Sequence, residues 1–119
     1  MFDNKIVQHV WDKARIVEGY DPNIVRKDSC GAWIMKSEYG NCDNDFGWEI
    51  DHVFPRALGG DDCLVNLRPM QWENNRAKGD DYPTYNVAVQ SENNANIHLS
   101  SQYSINKKLQ DRLKEIYNF

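Results

Sequence analysis

The chain has 119 residues, 27% of them charged and 40% hydrophobic, which is the balance of one soluble globular domain and not of a two-domain enzyme. Fourteen aromatic residues, Trp11, Trp33, Trp48 and Trp72 among them, supply area for a core and argue against a disordered polymer. No run approaches the roughly eighteen apolar residues of a bilayer span. The opening Met1-Phe2-Asp3-Asn4-Lys5 lacks the basic segment and apolar run of a secretory signal, so the expected address is cytoplasmic. Cys30, Cys42 and Cys63 are odd in number and form no C-x-x-C pair, so reduced thiols are expected and neither a disulfide framework nor a structural zinc is indicated. The net charge is −4, yet residues 51–79 hold four acidic and four basic side chains, and residues 104–119 hold two acidic and four basic. The acidity therefore lies elsewhere, and this weakens nucleic-acid binding by bulk attraction without excluding it.

In chain order, Ile6, Val10 and Ala14 recur every four residues beside Val7 and Trp11, predicting a helix over about residues 4–16, ended by Gly19 and Asp21-Pro22. Arg26-Lys27-Asp28 reads as a charged turn, and Ala32–Met35 as a short buried strand. Residues 39–47 read as a loop, and Trp48 to Val53 as a second strand stopped by Pro55 and able to pair with the first. Gly59-Gly60-Asp61-Asp62 turns the chain. Leu67–Met70 is a brief strand broken by Pro69, and Gln71–Lys78 a helix capped by Gly79. Tyr85, Val87 and Val89, then Ile97 and Leu99, alternate about a turn at 92–95, as in a hairpin. Leu109, Leu113, Ile116 and Tyr117 form one face of a C-terminal helix, with Ser104 or Asn106 as its cap and a basic opposite face read as solvated.

The informative stretch is Asp51-His52, Gly59-Gly60, Asn66-Leu67, then Asn75 and Lys78, polar residues where a mere scaffold prefers apolar ones. His52 and Asn66 are 14 positions apart, and His52 and Asn75 are 23 apart. This pattern of D-H, G-G, N-L and N-x-x-K resembles the HNH endonuclease family, in the subgroup whose third motif residue is Asn.

The resemblance implies an α+β domain spanning residues 1–119, with a ββα-metal core at 48–79 flanked by the N-terminal helix, a hairpin and the C-terminal helix. It implies a metal-dependent endonuclease that hydrolyses phosphodiester bonds in DNA, double-stranded DNA ahead of RNA, and nicks one strand at a time. Asp51 and Asn75 would hold one divalent cation. Their oxygen-only ligand set suits Mg²⁺, with Mn²⁺ or Ni²⁺ also acceptable. His52 would be the general base and Asn66 would tie down the loop that keeps it in register. Many members carry two C-x-x-C pairs around the motif; this chain has none, and aromatic packing should replace them.

Adjacent residues of a regular strand point to opposite faces, so Asp51 and His52 share a site only if the strand twists, bulges or ends there. Lys78 lies on the same side of its helix as Asn75, where with Arg56 and Arg76 it is read as a phosphate contact. Glu49 and Glu73 are read as solvent-facing acids, and His9 and His98 as structural or exposed. Two other readings are a non-catalytic nucleic-acid or protein docking module on the same scaffold, and an antibacterial nuclease toxin. The sequence does not fix the oligomeric state.

Overall fold

The computed structural model describes residues 2–119. Its helices are α1 (Asn4–Trp11), α2 (Trp72–Lys78) and α3 (Lys107–Tyr117). Its strands are β1 (Val25–Lys27), β2 (Trp33–Met35), β3 (Trp48–His52), β4 (Leu67–Gln71), β5 (Thr84–Glu92) and β6 (Ala95–Ser104). The strands form three antiparallel pairs, β1–β2, β3–β4 and β5–β6, so the architecture is α+β with a β3–β4–α2 unit at its centre.

The central hairpin is covered on both faces, and the strand period decides which residue meets which cover. Trp48 and Ile50 of β3, with Leu67 of β4, pack against Val10, Trp11 and Ala14 from the α1 side, where the Trp11 and Trp48 rings lie 5.5 Å apart. The intervening residues Glu49 and Asp51 turn to the other face, toward α2. A second core gathers Val53, Phe54 and Met70 with Tyr85 and Val87 of β5 and Leu113 of α3.

The caps follow the residue chemistry. Asp3 accepts from Ile6 N at 2.9 Å to start α1, the Gln71 side chain accepts from Glu73 N and Asn74 N to start α2, and Asn106 accepts from Leu109 N at 2.8 Å to start α3. Gly79, with φ +53°, ends α2. Pro69 is accommodated inside β4, opposite Ile50, because β4 is paired on one side only and its other edge needs no N–H.

Three expectations change. The first helix ends at Trp11 and not near residue 16, because the chain unwinds to bring Arg15 into a two-way backbone bridge with Lys27. Arg26 and Lys27 belong to strand β1 and not to a turn. Arg26 is buried, its charge met by the carbonyls of Pro22 at 2.8 Å and Asp12 at 3.1 Å. Finally, β2 pairs with β1, while β3 pairs with β4 in the register Asp51↔Arg68 and His52↔Leu67. Strands 33–35 and 48–52 do not pair with each other.

Candidate active site

An open cleft of about 360 Å³ lies between β3 and α2, lined by Glu49, Ile50, Asp51, His52, Pro55, Arg56, Asn75, Arg76, Gly79 and Asp80. It brings together Asp51, His52, Asn75, Arg56 and Arg76. Buried Asn66 and Lys78 do not line it.

Both Asp51 and His52 belong to β3, which stays regular there, and they do point to opposite sides. The Asp51 carboxylate is 4% exposed and sits between two cations, accepting from Arg68 Nε at 2.9 Å and facing Lys78 Nζ at 3.3 Å. The residue still borders the cleft. The His52 ring turns toward Phe2, 6.1 Å away, and its Nε2 meets Asp62 Oδ1 at 2.7 Å.

Lys78 is the residue whose expected role changes most. Its side chain is fully buried, and its ammonium donates to the His52 carbonyl at 3.2 Å and pairs with Asp51. Burial pushes the ammonium below the usual lysine range and the Asp51 charge opposes that fall. Lys78 is thus an internal counter-ion and is withdrawn from phosphate contact. The helix face deduced from its spacing to Asn75 is right, but that face looks inward.

Arg56 and Arg76 remain largely exposed, the first donating to Asp62 at 3.2 Å and the second to Glu49 at 3.4 Å. Both border the cleft with free guanidinium surface. Arg76 also lies over the Trp72 ring, 5.1 Å from its centre.

Asn66 is fully buried. Its Oδ1 accepts from Phe54 N at 2.7 Å, and its Nδ2 donates to Phe54 O and Asp61 O, each at 3.0 Å. One amide thereby clamps both ends of the 54–61 loop. The glycines make the clamp possible: Gly59 adopts φ +113°, and a Cβ on Gly60 would meet the Phe54 carbonyl oxygen at 1.8 Å.

Glu49 is not the solvated acid expected from sequence. It shares the α2-facing side of β3 with Asp51, accepts from Asn75 Nδ2 at 3.1 Å, and is half-buried in the cleft wall. The two-residue offset from Asp51 was the available signal. Among the described residues, no three His, Cys, Asp or Glu side chains converge on one point. A cation here would therefore meet Glu49 and Asp51 carboxylate oxygens and the Asn75 carbonyl, with water and substrate completing the shell. The chemistry of that set fits a hard divalent ion. Because Asn75 Nδ2 is committed to Glu49, the carbonyl oxygen is the atom of the amide left to offer.

A further hub was not foreseen. Asp28 is 0% exposed and accepts from Cys30 N and Ala32 N at 2.9 Å, Gln71 N at 3.0 Å and Asn74 Nδ2 at 3.2 Å. Asn74 in turn joins β5 through Ala88 N, Val89 N and Val89 O. Burial raises the Asp28 carboxyl above its usual range and these four donors oppose the rise. The hub fixes the start of α2, and hence Asn75, against β1–β2 and β5.

Residues 42–84 match the family model described as HNH endonuclease, a span containing every residue that lines the cleft. No curated protein and no solved structure matches the chain. Through this segment, the chain is similar to the HNH endonuclease family.

Proposed function

We propose that this protein is a metal-dependent endonuclease that hydrolyses phosphodiester bonds in DNA, cutting one strand per encounter. The observation that carries the reading is that Asp51, His52 and Asn75, 24 positions apart at their extremes, border one open cleft inside the family segment.

In this reading Asn75, Glu49 and Asp51 hold one divalent ion, Mg²⁺ before Mn²⁺ or Ni²⁺. When bound, such an ion supplies Lewis-acid stabilisation of the charge that builds on the attacked phosphate and the departing oxygen. His52 accepts a proton from water as the water oxygen bonds to phosphorus and the bond from phosphorus to the 3′-oxygen breaks; solvent protonates that oxygen. Arg56 and Arg76 meet flanking phosphate oxygens, which fix the strand without reading its bases. Asn66 holds the loop, and Lys78 with Arg68 holds Asp51. Duplex DNA is preferred over RNA on the family resemblance. A single cleft acts on one strand, so nicks precede any double-strand break.

The double ion pairing of Asp51 favours one competing reading, a docking module in which that carboxylate is purely structural. Thermal denaturation of the protein with and without Mn²⁺, beside cleavage of supercoiled DNA, linear DNA and RNA with and without EDTA, separates the two. The enzyme reading expects metal-dependent stabilisation and EDTA-sensitive cleavage. A protein that neither responds to metal nor cuts any substrate is the module.

A further inference from the structure

Asp62 does not itself line the cleft, but it meets two residues that do, His52 and Arg56. It belongs to the Gly59-Gly60-Asp61-Asp62 turn, read from sequence only as a change of direction. Its Oδ1 lies 2.7 Å from His52 Nε2 and 3.2 Å from Arg56 NH1. We propose that Asp62 is a positioning residue that locks the His52 imidazole with its proton on Nε2, leaving the lone pair of Nδ1 to receive the proton from the attacking water. The inference rests on the endonuclease reading and adds a residue to it.

For a neutral ring the chemistry leaves one arrangement. An ionised carboxylate only accepts hydrogen bonds, so in a 2.7 Å contact with Asp62 the imidazole nitrogen must be the donor. Two cationic or proton-donating neighbours hold Asp62 in that state, His52 and then Arg56 both drawing its carboxyl below the usual range. A neutral ring that carries its proton on Nε2 has a bare Nδ1. In the opposite tautomer the ring would turn a lone pair toward a carboxylate, losing the bond and adding repulsion.

The turn that carries Asp62 is held from two directions, which is what a positioning role requires. Asn66 Nδ2 grips the Asp61 carbonyl at 3.0 Å. From α3, Tyr117 Oη donates to Asp61 Oδ1 at 2.6 Å. Asp62 itself is 56% exposed, so its pairing adds little to folding stability and its removal should leave the fold unchanged. The consequence falls on the orientation of a ring whose described partners include this carboxylate alone at Nε2.

The test compares the parent chain with Asp62→Asn, Asp62→Ala and Asp62→Glu by ¹⁵N NMR of the neutral His52 ring and by cleavage of plasmid DNA with Mg²⁺. The parent ring should be the Nε2–H tautomer, and Asp62→Ala should populate both tautomers. Cleavage by Asp62→Ala and Asp62→Asn should fall about 10- to 100-fold in kcat with KM held within about twofold, as for other carboxylates that orient a histidine, and Asp62→Glu should recover most of it. Thermal midpoints should coincide. A parent ring protonated on Nδ1, or Asp62→Ala cleaving at the parental rate, overturns the proposal. Failure of the parent chain to cleave any nucleic acid overturns the endonuclease reading instead, and the tautomer comparison still decides whether Asp62 sets the ring.

Discussion

Lys78 and Asp51 form a buried pair, Nζ to Oδ1 3.3 Å, with 0% and 4% of their side chains exposed. The pair joins the last turn of α2 to the end of β3, the two elements that form the cleft, so the cleft wall is held by charges out of contact with water. Removing one partner of a buried pair strands the other. Lys78→Met should therefore lower stability by about 3 kcal/mol, at the low end for such a break because Arg68 stays on Asp51. Chemical denaturation checks this, and adding Asp51→Asn to Lys78→Met should cost less than the two single changes together.

Asp28→Asn replaces a carboxylate that accepts four hydrogen bonds with an amide whose NH2 faces two of those donors. The expected loss is about 2–4 kcal/mol, from donors left buried without acceptors. A midpoint in urea unchanged from the parent would contradict the hub.

The proposed cation site should respond to loss of its amide. Asn75→Ala and Glu49→Gln should each reduce the Mn²⁺-induced rise in thermal midpoint to roughly half or less, because stabilisation by a ligand scales with its affinity for the folded chain. Arg76→Ala, on the exposed rim, should leave that rise nearly intact and weaken DNA binding with a reduced salt slope.

Alkaline pH should unfold the protein through its second core. Burial pushes the Cys30 thiol up to about 11 from 9.0, and the Tyr85 phenol up to about 12 from 10.0, the two side chains lying 3.6 Å apart. An acid whose folded value is raised contributes stability that is intact below its unfolded value and is lost as pH climbs through the folded one. Stability should then decline from about pH 9 to pH 12, the window those two groups define. Titration of thermal midpoints checks the slope. In the folded state at neutral pH, exposed Cys42 should react with a thiol reagent while buried Cys30 resists it.

What could be read from sequence was what depends on near neighbours. The alternation in Trp48-Glu49-Ile50-Asp51, the cap at Asn106 and the hairpin about 92–95 all depend on residues within a few positions. The motif was legible because Asp51, His52, Asn66 and Asn75 are conspicuous residue types at fixed spacing. The partners of those residues were not. Asp28 meets Gln71 and Asn74 across more than forty positions, Lys78 meets Asp51 across 27, and Asp62 meets His52 across a loop whose closure is set by the buried Asn66. Such pairings follow from which face each element buries, and no local pattern encodes them. Glu49 was misread for the same reason, since an acid on a strand is solvated only if nothing packs on its face. The pairing of β2 with β1 escaped because Arg26 and Lys27 resemble a turn until their charge is seen satisfied by carbonyls and, for Lys27, by the Trp33 ring 4.5 Å away.

The most direct measurement is the conversion of supercoiled plasmid to open circles by the purified chain with Mg²⁺ or Mn²⁺, run beside His52→Ala. The parent should produce nicked circles in a reaction that EDTA stops. His52→Ala, with an unchanged thermal midpoint, should be slower by about 10²- to 10⁴-fold, the usual contribution of a positioned base. Equal rates for the two proteins, or plasmid left intact by a folded parent chain with either metal, would contradict the assignment of His52 as the base of a nuclease.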